Sequence, residues 1–170
     1  ARNKQLAHPC FDLAIEHHAA ICLLCESELY GSMYSLLRVE FEAIAKGLWL
    51  HHVASSDHII KYENEDLKIG FGTILNLIEN QLGISTSVLS LLKSRQWKIF
   101  SSFTHTGYQA LVRRFNNTHT GPVNYPDQEI ISALRHAGLF AVLSAVELAS
   151  MTGNQPLIES TMTMAREYGS

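Results

Sequence analysis

The apolar residues of this chain recur with the period of an α-helix. Nowhere do they alternate in the β-branched runs, separated by hairpin turns, from which a sheet is assembled. Leu37, Phe41, Ile44 and Leu48 stand at i, i+4, i+7 and i+11, so they line one helical face, and that face must be buried. Upstream, Phe11, Leu13, Ala14, Ile21, Leu24 and Cys25 keep a helical spacing within a stretch from Pro9 to Leu29 that has no internal Gly or Pro. The fold class this dictates is all-α.

Punctuation sets the number of helices. Gly31-Ser32 separates the first helix from a second over Met33 to Ser55, and a polar connection from Ser55 to Asp66, with Ile59-Ile60 embedded, holds one short helix. Gly70 and Gly72 precede a third segment ending at Leu82-Gly83, where glycine supplies the C-terminal stop. Ser85 or Ser87 caps a fourth helix reading as long as Ser87 to Asn116, which Gly107 can bend or divide. Gly121-Pro122 through Tyr125-Pro126 is the clearest loop. A strongly apolar helix then runs from Asp127 to Met151, and Gly153 to Pro156 separates it from a last helix ending near Tyr168. Gly138, Ala141 and Ala145 form a small-residue stripe that admits a close helix neighbour. Short connections between such elements imply an up-and-down helical bundle of four long helices plus one or two short ones. At 170 residues, 46% of them hydrophobic, the chain closes one core, so residues 1–170 are expected to form a single domain.

The three cysteines, Cys10, Cys22 and Cys25, are odd in number and lie in apolar surroundings, which fits reduced thiols in the cytoplasm better than a secreted disulfide framework. No uninterrupted apolar run approaches the roughly 18 residues of a membrane span, and Ala1-Arg2-Asn3-Lys4-Gln5 leads into no signal-type segment, so no membrane association is expected.

Charge is segregated. Between Glu79 and Asp127 there is no acidic residue, while Lys93, Arg95, Lys98, Arg113 and Arg114 give +5; against a total of −3, everything outside that stretch sums to −8. An electropositive element in an acidic body can attract phosphate, and Lys98, Arg95 and Arg113 are its candidate phosphate-binding residues. The same side chains could instead neutralise acids on neighbouring helices.

Nine histidines raise the question of a metal, but no Glu-x-x-His and no His-x-x-x-His pair exists, so no helical metal site is encoded locally. Only convergence of ligands from different helices would make one. No metal and no cofactor is expected, and Cys22-x-x-Cys25, without a second pair, reads as core.

Two polar arrangements stand out. Arg38 and Glu42 are one turn apart on the second helix, with Ala45, Trp49 and His52 continuing the stripe beside the core face. On the fourth helix Ser94, Lys98, Ser101, His105 and Tyr108 share a stripe if the helix is continuous, and they offer a hydroxyl, a cation and an imidazole that titrates near neutrality. Thr-His-Thr-Gly occurs twice, at Thr104 and at Thr118, and the 14-residue interval would place both histidines on one face of an unbroken helix. The second copy also completes Arg114-x4-His119, a pattern in which Arg could hold a scissile phosphate while the imidazole moves a 2′-hydroxyl or leaving-group proton.

The run Leu36 to Glu42, with Ser101 to Gly107, resembles a bacterial family of helical domains of unknown function that carry an Arg-x3-Glu pair on one helix and a Ser-x3-His followed by a small residue on a later one. Such domains are similar to the HEPN superfamily of bundles, rich in RNA-cleaving toxins and phage-defence effectors. In those proteins an Arg-x4-6-His motif is a metal-independent RNase site, usually formed across a homodimer. The resemblance implies an RNA-binding or RNA-cleaving homodimer with an antitoxin or defence partner protein. Arg114 and His119 match the HEPN motif, although Phe115 stands where a polar residue is favoured. Arg38, Glu42, Ser101 and His105 match the uncharacterised family, for which no reaction follows. The alternative is a non-catalytic interaction or regulatory protein whose polar cluster pins helix register; a bundle holding a small anion at Arg38 and Lys98 comes third.

Overall fold

The computed structural model describes residues 2–84, 87–121 and 124–169. Among them are eight helices: α1 (Arg2–Glu26), α2 (Tyr30–His52), α3 (Ser56–Glu63), α4 (Phe71–Leu82), α5 (Val88–Thr104), α6 (Tyr108–Val112), α7 (Asp127–Thr152) and α8 (Gln155–Gly169). The described residues contain no strand, only an isolated bridge between Phe115 and Thr120.

The helical stripe read from the sequence is buried: Leu37, Phe41, Ile44 and Leu48 all face inward from α2. Around them one core region gathers Phe11, Phe41, Trp49, Ile74, Ile78 and Phe140. A second joins Ile21, Met33, Tyr34, Leu37, Phe100 and Phe103. The Phe41 ring stacks on Phe140 at 4.9 Å and meets the edge of Phe71 at 5.3 Å, which ties α2 to α7 and α4. α1 runs back along α2. Its Asn3 side chain donates to the carbonyls of Leu50 and Ala54, and Phe11 lies so close to Gly47 that any Cβ there would overlap the ring.

Several expected boundaries move. α1 continues through Pro9 to Arg2. Proline removes a helical hydrogen bond at a cost of about 3 kcal/mol, but Ala7, Phe11 and Ala14 on either side are fully buried, and their packing offsets it. Gly31-Ser32 lies inside the first turn of α2 and does not separate two helices. Gly70 caps α4 and Gly72 lies within it, while Gly83 takes the expected left-handed stop at φ 65°. The short helix between Ser55 and Asp66 is α3, whose N-cap Ser55 accepts from the His58 N–H. Ser87 precedes α5 as its N-cap, while Ser85 lies outside the described residues.

At the fourth helix the division that Gly107 allowed is the one observed. That helix ends at Thr104, and Gly107 divides it from the five-residue α6. The Gly107 N–H donates to the Ser102 carbonyl at 2.6 Å, and Thr106 takes φ 54°, closing the helix in a left-handed turn. Ser94, Lys98, Ser101 and His105 therefore share α5 and its cap, whereas Tyr108 opens α6. The two Thr-His-Thr-Gly copies do not share a helical face, because residues 113–121 form no helix.

α7 is the one described helix long and apolar enough to cross a membrane by length and composition, a property no uninterrupted apolar run signalled; 39% of that window is buried inside the fold.

Candidate functional site

Arg38 sits one position past Leu37, at the edge of the buried face of α2, and from there its guanidinium reaches the last turn of α5. Its Nε donates to Glu42 Oε1 at 3.0 Å, and its Nη1 donates to Ser101 Oγ at 3.4 Å and lies 2.5 Å from His105 Nε2. The guanidinium plane lies over Trp97, 4.6 Å from the ring centroid, and Trp97 is in turn stacked on Phe71 at 4.6 Å. Four of the residues singled out in the sequence, Arg38, Glu42, Ser101 and His105, are thus brought together by two helices. The cluster is half-open: the Arg38 and Glu42 side chains are 21% and 36% exposed.

Protonation at the cluster follows from its donors. Arginine has no acceptor and stays charged, so His105 must present a bare Nε2 to Arg38 and carry its ring proton on Nδ1 when neutral. Two of the five guanidinium protons, those on Nη2, are used by no partner among the described residues. His105 itself is held at the point where α5 stops, as the C-cap residue.

The other candidates lie elsewhere. Arg114 follows α6 and lines an open cleft of about 660 Å³ with Ser35, Phe103, Thr106 and Tyr125. Burial raises the Tyr125 phenol pKa, and the nearby Arg114 and Arg113 partly oppose it. His119 is exposed in a tight turn closed by Asn116, whose backbone N–H donates to the His119 carbonyl and whose side chain accepts from the Thr118 and His119 N–H groups. The His119 ring lies 2.7 Å from Thr118 Oγ1. No contact among the described residues joins Arg114 or His119 to the Arg38 cluster. The Arg-x4-His pattern spans a turn and not a helix.

The electropositive stretch divides in the same way. Arg113 is committed to structure, bonded to the Asn124 carbonyl at 2.9 Å and paired with Glu129 at 2.6 Å. Arg95 and Lys98 are exposed on α5, on the helix that supplies Ser101 and His105. Lys93 lies over the Trp97 ring at 5.8 Å.

Three acidic groups escaped the sequence reading. Glu40 is fully buried, neither carboxyl oxygen has a hydrogen-bond partner, and burial pushes its pKa up to about 9. Its signal was available: Met33, Leu37, Glu40 and Ile44 stand at i, i+4, i+7 and i+11, so Glu40 falls on a buried stripe. Glu79, also buried, accepts from the Ser90 N–H at 2.9 Å and the Ser90 hydroxyl at 2.6 Å, serving the open N-terminus of α5 from α4. Glu147 of α7 meets both His51 and His52 of α2, a convergence that no local spacing encodes.

No curated protein and no solved structure matches the chain. A family model does, over residues 11–170, and by that match the chain belongs to the Family of unknown function (DUF6988).

Proposed function

We propose that this chain is an RNA-binding, HEPN-like helical domain, an up-and-down bundle that acts as a cytoplasmic homodimer, and that its cluster of Arg38, Glu42, Ser101 and His105 engages and cleaves a phosphodiester without a metal. The observation that carries the reading is the contact of an imidazole with a guanidinium whose Nη2 edge remains available, in a half-open setting. Guanidinium binds phosphate oxygens in a fork, and Glu42 holds the plane for it. Movement of the Nη1 hydrogen bond from His105 to a phosphate oxygen frees Nε2 to take the 2′-hydroxyl proton. The 2′-oxygen then attacks phosphorus, the 5′-oxygen leaves, and the imidazolium returns a proton to it. Arg95 and Lys98 supply electrostatic attraction along α5. Exposed Tyr108 and Phe115 offer apolar surface to a second copy. A toxin or phage-defence setting, with an antitoxin or defence partner, is the biological context the family likeness favours.

The test is incubation of purified protein with single-stranded RNA. Cleavage is expected, lost in His105→Ala and strongly reduced in Arg38→Lys, with the melting temperature of His105→Ala within a few degrees of wild type. Intact RNA with wild type, together with unfolding of Arg38→Ala, would instead support the second reading, that of a non-catalytic interaction protein. Arg38 makes three internal hydrogen bonds and a ring contact, as a register pin between α2 and α5 does.

A further inference from the structure

We infer that His51, His52 and Glu147 form a binding site for a divalent first-row transition metal, Zn²⁺ in the first instance, between α2 and α7. The inference is independent of the RNA reading. His51 Nδ1 lies 3.0 Å and His52 Nε2 2.9 Å from the same oxygen, Glu147 Oε2. One ligand atom from each of the three lies within 4.8 Å of the others. Tetrahedral zinc with bonds of about 2.0–2.1 Å separates its ligand atoms by roughly 3.3 Å, so the two N···O spacings need to open by only a few tenths of an ångström.

The arrangement is not what an ordinary His–Glu ion pair requires. Successive residues on a helix diverge by about 100°, yet the neighbouring His51 and His52 rings turn toward each other, centroids 4.2 Å apart, and both aim a nitrogen at one carboxylate oxygen. Both nitrogens converge on Oε2, which gathers three potential metal-donor atoms into one small sphere. The three side chains are 14%, 26% and 18% exposed, enclosed enough to fix geometry and open enough to admit a cation with a water in the fourth position. Both histidines belong to the last turn of α2, where the helix dipole presents its negative end and favours a cation. Two imidazoles and one carboxylate are borderline donors, suited to zinc more than to magnesium or calcium. Binding requires the ring nitrogen that faces Glu147 to carry no proton: a neutral imidazole then keeps its proton on the outer nitrogen, and an imidazolium gives up one proton to solvent.

The experiment is a titration of untagged, metal-free wild type with Zn²⁺ by calorimetry, repeated with Co²⁺ by visible absorption. One equivalent is expected, with cobalt bands of a four- or five-coordinate nitrogen–oxygen site and no thiolate charge-transfer band. Affinity should fall at least about tenfold in His51→Ala, His52→Ala and Glu147→Gln. Zinc should raise the melting temperature of wild type and raise that of Glu147→Gln by clearly less at the same concentration. Glu147→Gln is isosteric, so it keeps the test decisive if a histidine variant fails to fold. Absence of saturable binding overturns the inference. So does one-equivalent binding that survives all three substitutions, or that disappears in Cys22→Ser, since Cys22 Sγ lies 3.7 Å from His18 Nε2 and offers a competing thiol–imidazole pair.

Discussion

His105 and Arg38, 67 positions apart in the chain, are joined by a hydrogen bond in which the guanidinium donates to the imidazole Nε2. The bond links the middle of α2 to the end of α5. It also fixes the ring tautomer without a hydrogen bond between the histidine and any carboxylate among the described residues.

Loss of the guanidinium should therefore be felt in stability as well as in any activity. Arg38→Ala removes three hydrogen bonds and the Trp97 contact, and a loss of about 1–3 kcal/mol is expected. Arg38→Lys should recover only part of it, because an ammonium cannot serve Glu42, Ser101 and His105 as a planar fork. Urea unfolding of the two variants beside wild type measures both effects; equal stability of all three would contradict the contact's importance.

Glu40 gives the fold a pH dependence of definite sign. A carboxyl whose pKa rises from 4.5 unfolded to about 9 folded holds its proton more tightly in the native state. Its contribution is fully present below about pH 4.5 and is lost progressively as pH climbs toward 9. Glu40→Gln should match wild type near pH 4 and exceed it in melting temperature at pH 8, with the gap widening between. Thermal melts across that range settle the matter, and a gap that shrinks with pH would be inconsistent with a buried neutral acid.

Gly47 tests the contact between α1 and α2. Alanine is intrinsically the better helix former by about 1 kcal/mol, yet a Cβ at Gly47 would stand 2.6 Å from the fully buried Phe11 ring. Gly47→Ala is expected to destabilise by about 1–3 kcal/mol, and Phe11→Leu in the same chain should return part of the loss by making room. A double-mutant cycle in guanidinium chloride reads the coupling.

Thr106 carries the turn that ends α5 at φ 54°, a conformation that a β-branched residue takes at a cost. Thr106→Gly should add about 1 kcal/mol of stability while leaving the His105–Arg38 contact in place. A loss of stability in that variant would mean that Thr106 makes a contribution outweighing its backbone strain.

Fold class was legible because helical period is written locally: Leu37, Phe41, Ile44 and Leu48 needed no knowledge of their neighbours. Arg38, Glu42, Ser101 and His105 were legible too, as two polar stripes on apolar helices, and the structure places them in contact. The fourth helix was legible in part: Gly107 marked where it could divide, and it does, while the left-handed turn that stops α5 falls on Thr106, a residue type that rarely adopts one. Pro9 was read as a helix start because its local penalty is visible, while the burial of Ala7 and Phe11 that offsets it is not. The cluster of His51, His52 and Glu147 left no local trace, since its carboxylate comes from 95 positions away.

α2 packs against α1, α4, α5 and α7, and it carries Arg38 and Glu42 at its middle and the two histidines at its end. One inserted residue between Glu42 and Trp49 would turn everything beyond it by about 100°, swinging both imidazoles away from Glu147 while dragging Trp49 out of the interior. Length variation across natural members of the family should accordingly be absent from this helix and be absorbed at exposed bends such as Gly153–Asn154.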